Sequence, residues 1–396
     1  MAATRPLRVA ELAEVLAVDF DNAEGIPRLN PGWRWEDQEQ ALLFACSSLI
    51  VIVDGGNVKA NDSDSGVEAG NLRFVQFSHF SVKEFLTSSR LATTSGEVSK
   101  YHINLETAHT ILAQACLGVL LQIQDDIEGH TREDHPLARY AAKHWTTHAQ
   151  FGEVSSRLQK GMEYLFDPCK AHFRVWVALY DINTRTHGGE TLHAFTELGN
   201  SDAGPLYYAA LCGFHDLVEH LITRYSQDVN ADGGHYIRPL VAALAGEHFQ
   251  TADLLRHNGA DTDVRGFNER TPLHSAAFYE NLKVVQKLID YEADIHAEDE
   301  KGWTPLYLAS YGHHFKDGSV LRLLLEHGAD VNAQIKDGWT PLHRASSNGV
   351  LEVVRLLLEH GADVEVKAID GKTALQCAAE GGHDEIVKLL REHGAK

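Results

Sequence analysis

Three groups of residues in this chain have types that could do chemistry. Gly371-Lys372-Thr373 matches the tail of a phosphate-binding loop, where backbone N–H groups and a lysine cradle phosphates. That motif needs another glycine five positions earlier, and Val366 stands there. Histidine is abundant, with 24 residues, and His130-Thr131-Arg132-Glu133-Asp134-His135 sets two imidazoles five apart with acids between them. A helical zinc motif uses i, i+4 spacing, and Pro136 ends any helix here, so the stretch reads as a solvated loop. Cys116 lies on the apolar face of a helical pattern, where packing is expected, and no Gly-x-Ser-x-Gly elbow occurs. The spacings therefore lead to the expectation of no catalytic residue, no metal and no cofactor.

Many of the other histidines fall into a repeating frame. A block returns at Pro205, Pro239, Pro272, Pro305, Pro341 and Ala374, in steps of 34, 33, 33, 36 and 33 residues. A fixed period of this size predicts stacked supersecondary units rather than one globule. The clearest copies open with Thr271-Pro272-Leu273-His274 and Thr340-Pro341-Leu342-His343; Thr304-Pro305-Leu306-Tyr307 and Thr373-Ala374-Leu375-Gln376 are variants. Threonine caps a helix through its hydroxyl, and proline suits the first helical position. After a turn such as Asn348-Gly349, a second helix carries apolar residues at helical spacing (Val353, Val354, Leu356, Leu357, Leu358). It stops at Glu359-His360-Gly361-Ala362-Asp363, where glycine accepts the left-handed conformation. The histidines at 257, 327, 360 and 393 are expected to close helix ends.

These Thr-Pro-Leu-His and Gly-Ala-Asp signatures resemble the ankyrin repeat, over about half of the chain. Six units are expected, above the three or so needed for a continuous core. The first two are degraded, keeping Pro-Leu but not Thr, and three extra residues of the fourth are placed near Tyr311 to Gly318.

With 396 residues, more than one structural region is expected. The net charge of −21 divides into −9 for residues 1–200 and −12 for 201–396. Neither half offers a basic footprint for nucleic acid or an anionic membrane. The five cysteines are dispersed, as expected of buried, reduced thiols. The N-terminus lacks an apolar signal core and no run of eighteen apolar residues occurs, so an intracellular, cytoplasmic location is expected.

Before residue 200 the repeat disappears. Leu7 to Phe20 shows a helical apolar pattern, Gly25 to Gly32 reads as a loop, and Trp35 to Cys46 as a second helix. Strands are expected at Ser48–Val53 and Leu72–Phe77 around a polar insert, Asp54 to Asn71. Ser81 and Glu84 form a capping box for a helix through Ser88. This order is that of a small α+β winged-helix-like module over 1–95; its acidic first helices weigh against DNA binding. Arg73 to Leu86 resembles the segment that follows the NACHT nucleotide-binding domain in fungal NACHT–ankyrin proteins, signalling ATPases of the STAND class. Pro136 to Trp145 resembles their helical spacer. The resemblance implies the C-terminal part of such an architecture, without its ATPase. Helices are expected at Leu105–Ile123, Pro136–Phe151, Ser155–Phe166 and His172–Tyr180, with Trp145, Trp176 and Tyr180 in a core. The expected organisation is mostly α: the module at 1–95, the spacer at 101–183, a linker at 184–201, and a repeat solenoid at 202–396.

The function expected is non-enzymatic binding of a protein partner on the concave face of the array; the alternative is a fragment of a nucleotide-driven switch, able to meet a NACHT domain in trans. Positions before each Thr-Pro and near the end of each first helix are not fixed by a core. Here they supply Phe267, Asn268 and Glu269, then Trp303, Tyr311, Lys336, Trp339, Arg344 and Asn348. Aromatic residues and arginine dominate binding hot spots, which singles out Trp303, Tyr311, Trp339 and Arg344.

Overall fold

The computed structural model describes residues 104–123, 137–180, 203–311 and 318–396, together with Leu12, Val15 and five strands within the first 77 residues. The chain divides into two compact units, 1–182 and 183–396.

In the first unit, β4 (Ile50–Asp54) and β5 (Arg73–Phe77) form the expected antiparallel pair, with Ile52 opposite Val75. The stretch expected as one helix from Leu7 to Phe20 is different. Its ends are strands, β1 (Leu7–Arg8) and β2 (Val18–Asp19), and only Leu12 and Val15 between them are described as helical. β1 pairs with β5, giving a sheet of order β1-β5-β4, and β2 pairs with β3 (Arg28–Leu29) inside the expected Gly/Pro loop. Short apolar runs fit either period, and long-range pairing overrides local propensity. The helices expected at Trp35–Cys46 and Ser81–Ser88, the polar insert and the linker lie outside the described residues.

Helices α1 (Leu105–Leu120), α2 (Ala138–Ala149) and α5 (His172–Leu179) stand where expected. The helix expected at Ser155–Phe166 is broken into α3 (Val154–Arg157) and α4 (Gln159–Leu165). A tight turn causes the break, with Leu158 N–H donating three residues back to the Ser155 carbonyl at 3.0 Å. Trp145 and Trp176 are fully buried, edge to face at 5.3 Å, with Phe166 and Phe173 packed around them. Trp176 Nε1 donates to the Ala142 carbonyl at 2.9 Å, which satisfies its buried polar end. Tyr180, expected in this core, is only half-buried, because the helix ends at Leu179 and turns extended.

The second unit contains six helix pairs in chain order: α6 (Pro205–Leu211) with α7 (His215–Tyr225), α8 (Pro239–Ala245) with α9 (Phe249–His257), and α10 (Pro272–Phe278) with α11 (Leu282–Asp290). They continue with α12 (Pro305–Ala309) and α13 (Ser319–Glu326), α14 (Pro341–Asn348) and α15 (Leu351–Glu359), and α16 (Ala374–Glu380) and α17 (Asp384–Glu392). Residues 310–318 separate α12 from α13, against 349–350 between α14 and α15, so the extra residues of the fourth unit fall between its helices. Thr271, Thr340 and Thr373 each form a capping box, with His274, His343 and Gln376 as the returning side chains. The first helices are short and their small residues are completely buried (Ala243, Ala276, Ala277, Ala345, Ala378). The second helices of units two, four, five and six end on an imidazole that bonds the carbonyl four residues back, as His360 Nδ1 does to Leu356 at 2.9 Å, and Gly361 follows at φ +83°. Cys116, Cys212 and Cys377 are buried thiols, but Cys169 is exposed on the turn before α5.

Candidate functional site

The third and fourth units show how the repeat fixes a side chain for presentation. Thr271 N–H donates to His274 Nδ1 at 3.1 Å, which leaves Nε2–H to donate to the Trp303 carbonyl in the next unit at 2.8 Å. Burial holds this imidazole down at about 4, so it is neutral and its tautomer is set by the two bonds. Asp299, whose side chain is 1% exposed, accepts from the backbone N–H groups of Lys301 and Trp303 at 2.8 and 2.9 Å and pairs with Arg270 at 3.1 Å. The backbone of Trp303 is thus pinned from both sides while its indole stays half-exposed.

Around that indole the expected residues come together. Trp303 lies 5.6 Å from Tyr311, centroid to centroid, and 5.5 Å from Tyr307. Arg344, from the fifth unit, places its guanidinium carbon 4.4 Å from the Tyr311 ring, 5.1 Å from Trp339 and 5.7 Å from Tyr307. Its Nε donates to Tyr307 Oη at 3.2 Å, and Asn348 Nδ2 donates to the Tyr311 carbonyl. Trp303, Tyr311, Trp339, Arg344 and Asn348 are all half-buried, a set of rings and one cation locked in place but not covered.

Other expected residues take different parts. Lys336 is exposed at the rim, and its Nζ donates to the Glu300 carbonyl. Asn268 sits in the left-handed region at φ +57° and offers its carbonyl to Glu300 N–H at 2.8 Å, joining successive loops. The Phe267 side chain lies outside the described residues. Tyr307 was missed by reasoning from the sequence. It occupies the histidine slot of the motif, and a phenol there, with an arginine one unit on, is the signal that marks it. Arg270 was also missed; its guanidinium carbon lies 5.4 Å from the Trp303 ring.

No described group of three or more His, Cys, Asp or Glu is gathered to hold a metal. A buried and a half-buried histidine do meet in the first unit: His109 Nδ1 lies 2.8 Å from His148 Nδ1, and Tyr140 Oη is 2.8 Å from His148 Nε2. Burial, then His109 and His144, hold His148 down at about 4. No described helix is long and apolar enough to cross a membrane.

Residues 240–335 and 314–396 each match a family model described as ankyrin repeats (3 copies). Azaphilone pigments biosynthesis cluster protein L of Monascus ruber is 27% identical over 273 residues, 65% of this chain and 53% of that protein. The probable 26S proteasome regulatory subunit p28 of Saccharomyces cerevisiae is 36% identical over 120 residues, 30% of this chain and 52% of that one. Ankyrin repeat and SOCS box protein 5 of Oryctolagus cuniculus is 33% identical over 106 residues, covering 27% and 32% of the two chains. The chain thus spans about half or less of the length of these relatives.

Proposed function

We propose that this ankyrin-repeat array is a non-enzymatic scaffold that binds a protein partner on its concave face, centred on Trp303, Tyr311, Trp339 and Arg344. The observation that carries the reading is the Arg344 guanidinium held against the half-open rings of Tyr311 and Trp339 and the buried ring of Tyr307, from two successive units. Rigid aromatic and arginine anchors lose little entropy on binding, and they dominate hot spots for that reason. A specific partner should bury about 1,200–2,000 Å² in total. Affinity capture from the native organism tests this with the full chain and its Trp303→Ala/Trp339→Ala variant side by side. Partners retained by the wild type should be lost from the variant; equal retention would show that this face is not the binding site.

A finer reading concerns residues 1–95, as a winged-helix-like module able to dock a NACHT domain in trans. It is supported by the sequence of Arg73 to Leu86 and by the antiparallel β4–β5 pair. An in-frame Gly-x-x-x-x-Gly-Lys-Ser/Thr motif in the upstream genomic sequence would favour it.

A further inference from the structure

The aromatic face also carries an open cation, and that defines what it can receive. Arg344 uses only Nε for a hydrogen bond among the described residues, so the Nη1–Nη2 edge has no protein acceptor there. No described carboxylate lies within the 4.0 Å ion-pair distance of its nitrogens. Lys301, with Nζ 5.0 Å from the Trp303 ring, and Lys336 likewise form no ion pair with a described carboxylate. Glu300 and Asp337, on the same loops, are exposed and pair with none of the three. In a half-chain of net charge −12, three cations with no ion pair to a described carboxylate thus rim one patch of rings.

We propose that this face receives an acidic segment of a partner protein, with one Asp or Glu carboxylate bidentate on the Nη1–Nη2 edge of Arg344 and a flanking apolar side chain against Trp303 or Trp339. The inference rests on the binding role proposed above. A planar guanidinium matches a carboxylate with two parallel bonds, and the rings that flank Arg344 hold its plane in place for them. A basic segment would face Arg344, Lys301 and Lys336 together.

A displayed library of random twelve-residue peptides, selected on the full chain, provides the probes, and fluorescence anisotropy the affinities. Selected peptides should carry Asp or Glu beside an apolar residue. Changing that acid to its amide, or Arg344→Gln in the protein, should each weaken binding about tenfold or more. The two changes together should cost no more than either alone, as expected of one shared contact. Arg344→Lys keeps the charge but not the fork and should recover only part of the affinity. Urea titration of each variant establishes that it is folded. Peptides without an acid, or indifferent to Arg344→Gln but lost on Trp303→Ala/Trp339→Ala, overturn the acidic partner and leave the face standing. Peptides indifferent to all of these variants, or no enrichment at all, overturn the acidic partner too, while the capture experiment separately decides the face. Concentration-dependent self-association abolished by Trp303→Ala/Trp339→Ala would identify a second copy of this chain as the occupant and overturn the proposal.

Discussion

Units three and five place an imidazole in the slot two residues after the motif proline, whereas units one and four place a phenol there. The imidazoles of His274 and His343 each serve two units at once. Nδ1 accepts from the capping threonine of their own unit, and Nε2 donates to a carbonyl of the next, Trp303 or Lys372. Tyr207 does half of this, accepting from Tyr236 N–H at 3.1 Å across the seam. Tyr307 accepts from the Arg344 side chain of the next unit, so in the fourth unit the slot joins repeats through a residue of the candidate site. The same position still joins two units, but through a half-exposed guanidinium rather than a buried backbone group. Repeats that depart from the motif are where recognition can be built, because a histidine there is already committed at both nitrogens.

The sharpest test of this contrast is His274→Ala. It leaves the Thr271 N–H and the Trp303 carbonyl without their buried partner, at about 1–3 kcal/mol each, so a loss of about 2–6 kcal/mol in urea denaturation is expected. Equal tolerance of His274→Ala and Tyr307→Ala would erase the distinction between the two slots.

Acid should act on the imidazole seams next. Burial first, with the Trp303 bond opposing it, holds His274 at about 4 against an ordinary 6.5. A depressed folded value means the neutral ring is favoured in the fold. The seam's contribution is therefore fully present above about pH 6.5 and is lost as pH falls toward 4, by about 3 kcal/mol in all. Burial lowers His343 in the same direction. Gln376 already accepts from Thr373 N–H at 3.0 Å in the sixth unit, so a His274→Gln change should keep the cap and flatten the pH profile between 6.5 and 4. An unchanged slope in urea midpoints would assign the acid sensitivity elsewhere.

Smaller effects separate the two phenols. Tyr207→Phe removes the acceptor of a buried N–H and should cost about 1 kcal/mol or slightly more. Tyr307→Phe should cost less, about 0.5 kcal/mol, since its donor is a half-exposed guanidinium. It should nevertheless weaken partner capture, because Arg344 loses the bond that aims it. A larger stability loss for Tyr307→Phe than for Tyr207→Phe would reverse the assignment of roles.

Most of the repeat architecture was legible in the sequence. The Thr-Pro caps, the small residues of the first helices and the glycine stops act within a few residues of their own position, so local chemistry suffices to read them. The histidines that close helix ends at 257, 327, 360 and 393 are of the same kind. Trp303, Tyr311, Trp339 and Arg344 could be singled out from slot and residue type. Their union with Tyr307 could not, since Tyr307 and Arg344 stand 37 positions apart and meet only when units stack. Leu7–Arg8 failed for the same reason: its partner, β5, lies more than sixty residues away.

The sequence by itself determined the period, the helix ends and the list of residues left free of the core. Tertiary structure decided which of those residues share a surface, and that, among the described residues, Arg344 is held by its Nε bond with its outer edge open. Periodicity is a property of one unit at a time, while a site made from two units depends on how they pack.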